Sequence, residues 1–213
     1  MRSTVALQRL LCVAGLALAQ FLYAQAVDSG ELSNGLYRNA VVGFTYKLPY
    51  GWVDRTEDMR QNPNESGQAS GKTSAAKAYV LLAAFERPPE AAGNTINSAV
   101  IIAAENVSSY PGLKTAAQYF GPFNELTAAQ GFNVLNEPYE FPVDAKPIVR
   151  EDFKKPRSSL TMYQSTLAML QRGYVLSFTF IGGSDDEVTA LIEGLSFNAP
   201  KPAAKSHPQP PPK

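Results

Sequence analysis

Two periodicities meeting at a glycine pair organise the C-terminal part of the chain. Between residues 174 and 181, Tyr174, Leu176, Phe178 and Phe180 alternate with Val175, Ser177, Thr179 and Ile181, a period of two in aromatic and β-branched residues that predicts a strand with one core face. An apolar run at 160–170 precedes it across Gln171-Arg172-Gly173, so the two runs read as a hairpin. After Gly182-Gly183 the spacing changes: Val188, Leu191, Ile192 and Leu195 recur at i, i+3, i+4, i+7, one stripe of a helix. Ser184 stands three residues before Glu187, the spacing of a capping box. Asp185 and Asp186 suit the positive end of the helix dipole and are read as dipole partners rather than as a metal site. Asn198 and Pro200 end the element.

Upstream, Phe44, Tyr46 and Leu48 alternate with Thr45 and Lys47 before Pro49 and Gly51-Trp52, predicting an aromatic strand that stops at a corner. Trp52, the only tryptophan, is expected to anchor the core there. Residues 78–86 and 99–107 are apolar runs of strand length and predict central strands. Residues 113–131 predict a helix with an apolar stripe of Ala116, Ala117, Phe120, Phe123 and Leu126, kinked or split at Gly121-Pro122 and closed by Gly131. Three short strands, 132–135, 139–143 and 148–153, are interrupted by Pro138, Pro142 and Pro147, as edge strands often are. Lys154-Lys155-Pro156-Arg157 reads as a basic turn before the hairpin, its charges keeping edge strands soluble. Residues 54–77 lose all periodicity. A loop of that length points to a partner site, on the expectation that unstructured connections so long are functional or disordered.

The ends differ in composition from this middle. Residues 1–26 carry Arg2 and Arg9, an apolar run at 10–22 and Ala24-Gln25-Ala26, which predicts a secretory signal peptide cut between Ala26 and Val27. The run is shorter than the roughly 20 residues of a bilayer span, and no later segment qualifies. The mature chain is therefore expected to be secreted or periplasmic without a membrane span. Cys12, the only cysteine, follows Arg9-Leu10-Leu11 and not the small residues of a lipoprotein signal. Residues 27–35 form a polar lead-in, 36–198 one α+β domain, and 199–213, with six prolines in fifteen residues, an extended tail. Pro208 and Pro211 have PxxP spacing, but a spacer role is expected of them. The two Asn-x-Ser tripeptides at Asn64 and Asn106 receive no weight.

Composition narrows the chemistry. Of 213 residues, 45% are hydrophobic and 18% charged, ordinary for a globular core. Without Arg2 and Arg9 the 19 basic side chains fall to 17 against 19 acidic, which leaves no excess of positive charge for nucleic acid. A mature chain without cysteine has no disulfides and must hold by its core. The single histidine, His207, lies in the tail, so no Ser-His-Asp triad or histidine zinc site is expected in the domain. The sequence has no GxGxxG, GxxxxGK[ST] or GxSxG. No metal or cofactor residue is singled out, and none is expected. Paired carboxylates remain, with Glu105, Glu140, Glu151 and Asp152 as candidates for glycoside-type hydrolysis.

Tyr37, Gly43-Phe44 with Tyr46, and Leu48-Pro49-x-Gly51-Trp52 resemble the opening of PsbP-like domains, a fold shared with Mog and with DcrB-type envelope proteins. The order of elements from 37 to 197 is similar to that family throughout. The resemblance implies an antiparallel β-sheet flanked by helices, an α-β-α sandwich in a single domain, serving binding or assembly without shared catalytic residues. The metal-site histidines of photosynthetic members and the anchor cysteine of DcrB-type lipoproteins have no counterpart, and the expected export excludes a cytoplasmic Ran partner. The expectation is an exported, non-enzymatic binding domain whose partner is an envelope protein or a small apolar ligand, meeting it through the 54–77 loop and the sheet face near it. A carboxylate-dependent envelope hydrolase and a passive structural protein are the alternatives.

Overall fold

The computed structural model describes residues 29–61, 78–88, 90–91 and 93–198; the expected leader with its Ala26–Val27 junction, Cys12, residues 62–77, His207 and the proline-rich tail lie outside them. Strands β1 (Glu31–Ser33), β2 (Leu36–Asn39) and β3 (Phe44–Lys47) come first, then β4 (Val53–Asp54), α1 (Thr56–Gln61), β5 (Tyr79–Phe85) and β6 (Ala99–Asn106). Next are α2 (Ala116–Ala129), β7 (Asn133–Val134), β8 (Tyr139–Glu140) and β9 (Val149–Arg157). The hairpin β10 (Leu160–Gln171) and β11 (Tyr174–Gly182), helix α3 (Asp185–Ile192) and β12 (Leu195–Ser196) follow within the described residues. All pairings are antiparallel, in a large sheet ordered β4-β5-β6-β11-β10-β9-β7, with β8 also on β9, and a small sheet ordered β1-β2-β3-β12. The α+β class with an antiparallel sheet and flanking helices is thus present in one domain.

The hairpin forms where its residues predict it. Gln171 pairs with Tyr174, and Arg172 and Gly173 take φ of 52° and 81°, the left-handed pair that a two-residue hairpin turn needs. β11 lies at the middle of the large sheet, so both of its faces are covered. Leu176, Phe178 and Phe180 enter a core with Tyr37, Phe44, Tyr46, Val188, Leu191 and Phe197 from the small sheet and α3, while Val175 packs under Tyr119, Phe120 and Phe123 of α2. One core face was expected; the crossing of α2 makes the second. Each large side chain buried this way stabilises by about 1.5–3 kcal/mol.

Several local expectations change for identifiable reasons. Residues 31–33, expected as lead-in, form β1 because β2 offers an open edge, and Gly30 permits a φ of 69°. The basic run 154–157 continues β9 and pairs with β10 up to Arg157↔Leu160, leaving Ser158-Ser159 as the turn. Pro156 is tolerated because it lies past the last β7 pairing, Asn133↔Lys154. Helix α2 starts later than 113, at the Thr115 cap, where Thr115 and Gln118 form a reciprocal capping box, and it runs unbroken through Pro122. Pro122 is exposed, so the carbonyl it leaves free can be hydrated. The buried stripe is Tyr119, Phe120, Phe123 and Thr127; Ala117 is exposed and Leu126 half-buried. α3 is capped by Ser184, whose Oγ accepts from Glu187 N–H at 3.2 Å. Glu187 reaches one residue further back than a capping box requires, its Oε2 accepting from Gly183 N–H at 2.8 Å and its Oε1 from Ser98 Oγ. Trp52 is half-buried at the rim of the core rather than its anchor; Tyr46, Phe178 and Phe180, each 0% exposed, hold that place.

Candidate functional site

The stretch read as a structureless loop begins with structure. Asp54 Oδ1 accepts hydrogen bonds from Thr56 N–H at 2.9 Å and from Thr56 Oγ1 at 2.5 Å, an Asx turn that starts α1. Glu57 and Asp58 occupy its first turn and Arg60 its last, the order a helix dipole favours. Those signals stand in Asp54-Arg55-Thr56-Glu57-Asp58-Met59-Arg60 and were hidden by the absence of an apolar stripe. One buried apolar side chain suffices: Met59 is 5% exposed among Val80, Ala83 and Ile101.

Between this helix and the N-terminal strands lies a cleft of about 170 Å³, lined by Ser29, Gly30, Leu32, Tyr37, Asp54, Thr56, Glu57, Arg60, Leu81 and Leu82. Leu81 and Leu82 stand behind it, almost completely buried, and Asp54, Glu57 and Arg60 bring charge to the lining. Gly30 sets one wall: a Cβ there would overlap the Tyr37 ring and lie 2.7 Å from the Arg38 carbonyl. Tyr37 Oη donates to the Ser29 carbonyl at 2.8 Å. On the opposite wall the Arg60 guanidinium donates to the Val80 carbonyl at 2.8 Å and the Leu81 carbonyl at 3.3 Å, and lies 5.0 Å over the Tyr79 ring. Tyr50 is fully exposed at the Pro49-Tyr50-Gly51 corner.

Two of the carboxylate candidates, Glu105 and Glu151, are not brought together. Glu105 is buried beneath α2, accepting from Tyr119 Oη at 2.6 Å and from Tyr110 Oη. Burial raises its pKa and the two tyrosines oppose the rise. Burial, followed by the Glu105 charge, raises the pKa of both tyrosines. Glu151, 1% exposed, also lies under α2; its Oε1 accepts from Asn124 Nδ2 at 3.0 Å, while Oε2 meets no donor among the described residues. Burial pushes its pKa up to about 7, with Glu137 and Asp152 adding to the rise and Asn124 opposing it. Across the register, Glu151 faces Thr166, Thr166 faces Thr179 and Thr179 faces Ile101, whereas Glu105 faces Val175, four residues further along. Three strand spacings and four residue rises separate the two acids by roughly 19 Å, beyond the roughly 5–9.5 Å of paired glycosidase carboxylates.

Asp152, next along β9, points to the opposite face. It accepts from Arg150 Nε at 2.7 Å, Ser165 Oγ at 2.5 Å and Tyr139 Oη at 3.2 Å. Arg150 also donates to Ser165 Oγ at 3.0 Å and lies 5.0 Å over the Phe141 ring, which closes a network around a buried ion pair. Glu140 is exposed on β8.

Compared with protein-family models and with curated proteins, the chain matches none. Among solved structures it is similar to PA94, a protein of unknown function from Pseudomonas aeruginosa, at 15% identity over 73% of this chain and 85% of that one, with a TM-score of 0.35. Cyanobacterial PsbP from Synechocystis sp. PCC 6803 is 14% identical over 78% of this chain and 95% of its own, with a TM-score of 0.44. LpqN, involved in cell envelope biogenesis of Mycobacterium tuberculosis, is 11% identical over 72% and 82%, with a TM-score of 0.37. At such scores and identities these likenesses carry no functional argument.

Proposed function

We propose that this chain is an exported, non-enzymatic binding domain of PsbP-like architecture that engages a protein partner at the α1 cleft. The observation that carries the reading is the cleft itself: a small opening between α1 and the N-terminal strands with Asp54, Glu57 and Arg60 in its lining. It opens at the end of the sequence where the 54–77 stretch points to a partner. Its size favours one of the two expected ligand classes. About 170 Å³ is below the roughly 300–1,000 Å³ of small-molecule sites, so the cleft suits an inserted side chain of a protein better than a whole apolar ligand. Export rests on the leader-like composition of residues 1–26. Among the described residues no helix is long and apolar enough to cross a membrane.

A photo-crosslinking side chain placed at Glu57, on the cleft lining, and separately at Lys114, before α2, tests this in the chain of residues 27–213 within its native envelope extract. One defined protein adduct from position 57 and none from 114 is expected, and removal of residues 62–77 or Glu57→Arg should weaken binding of the identified partner. Adducts from both positions alike, or an affinity unchanged by either alteration, would overturn the assignment.

A further inference from the structure

Strand β5 borders the large sheet, and β4 pairs with it only at Phe85 and Ala84. Over residues 79–83 the place of a neighbouring strand is taken by α1 and the residue before it. Arg55 N–H donates to the Ala83 carbonyl at 2.8 Å, and Ala83 N–H donates to Thr56 Oγ1 at 2.9 Å. Arg60 Nε and Nη2 donate to the Val80 and Leu81 carbonyls. Three carbonyls and one amide of the border are thereby satisfied by a main-chain N–H, a hydroxyl and a guanidinium. Met59 pins the helix over Val80 and Ala83, and β5 carries a register shift between Val80 and Leu82. Bulges and covering elements are the devices by which proteins blunt sheet edges. The far side uses another one, Lys155-Pro156-Arg157 on β9 past its last pairing with β7.

The strand so covered, Tyr79–Phe85, reads YVLLAAF, seven residues without a charge, a proline or a glycine, the composition that pairs readily with its own kind. Two copies placed antiparallel meet no like-charge repulsion within the strand, and their backbone groups are self-complementary. We infer that α1 is an edge guard, holding the β5 border closed against pairing with β5 of a second copy of this chain. This goes beyond the partner proposed for the cleft, and its readout is self-association rather than partner capture, so the two stand or fall separately.

Thr56→Val with Arg60→Ala, made together in the chain of residues 27–213, removes the acceptor for Ala83 N–H and the donors to Val80 and Leu81. Sedimentation across a concentration series should show self-association roughly tenfold or more tighter than in the parent, about the weight of one backbone hydrogen bond. Amide hydrogen exchange should place protection at Ala83 in the associated form and its loss in the dilute monomer. A folded variant that stays as monomeric as the parent overturns the inference, as does association in which the Ala83 amide exchanges freely. Arg60→Ala alone, which leaves Thr56 and its bond from Ala83 N–H in place, is the milder opening should the double variant not fold, and for it the concentration series decides: no gain in self-association overturns the inference.

Discussion

Replacing Glu151 by glutamine should change how stability depends on pH, and the structure sets both sign and size. Glu151 is 1% exposed, with one donor, Asn124, and one oxygen that meets none among the described residues. Burial moves its pKa from an ordinary 4.5 to about 7 in the folded protein. A carboxyl raised on folding binds its proton more tightly in the native state. Its stabilising contribution is therefore complete below about pH 4.5, is lost as pH rises towards 7, and stays lost above that. At 1.36 kcal/mol per pKa unit the loss is at most about 3 kcal/mol, and about half that where water reaches the ionised carboxylate. Glutamine keeps the shape and the acceptor for Asn124 and never ionises. Urea unfolding of both proteins between pH 4 and 8 should give near-equal stability at the acid end, and a variant more stable by about 1.5–3 kcal/mol above pH 7. Glu105 is raised in the same direction by burial but is present in both proteins, so the difference curve isolates Glu151. Two curves that run parallel from pH 4 to 8 would refute the reasoning.

Three further outcomes follow from the packing. Trp52→Ala should cost about 1–2.5 kcal/mol by urea unfolding, below the roughly 3–5 kcal/mol of a fully buried aromatic, because Trp52 is only half-buried against the core; Phe178→Ala, at 0% exposure, should reach the higher range. Tyr119→Phe removes the 2.6 Å donor to Glu105 and should cost about 1–3 kcal/mol. Because burial raises the Glu105 pKa and the Tyr119 hydroxyl opposes that rise, the cost should grow as pH rises; an equal cost at pH 4 and pH 8 would refute this.

Local pattern carried much of this architecture. The 174–181 alternation, the Arg172-Gly173 turn, the i, i+3, i+4, i+7 stripe of α3 and the Ser184 cap were legible because each is set by backbone geometry within a few residues. The composition of the first 26 and last 15 residues is likewise a property of the chain alone. Where a strand stops is decided by what lies alongside it, which is why β9 runs through Pro156 and why residues 31–33 find a partner strand. α1 was missed although its Asx turn and dipole charges stand in the sequence, since a six-residue helix is held by contacts with β5 rather than by its own periodicity. The candidate acids could be named as residue types. Their separation, with Glu105 and Glu151 far apart beneath α2 and Asp152 on the other face, required the strand order and register. The cleft required the same: Leu32, Tyr37, Arg60 and Leu82 come from four segments, and only the folding of the small sheet against the edge of the large one places them around a single opening. Sequence determined the elements and the class of chain, because those depend on neighbours along the backbone; tertiary structure alone decided the site, because a site is a set of neighbours across it.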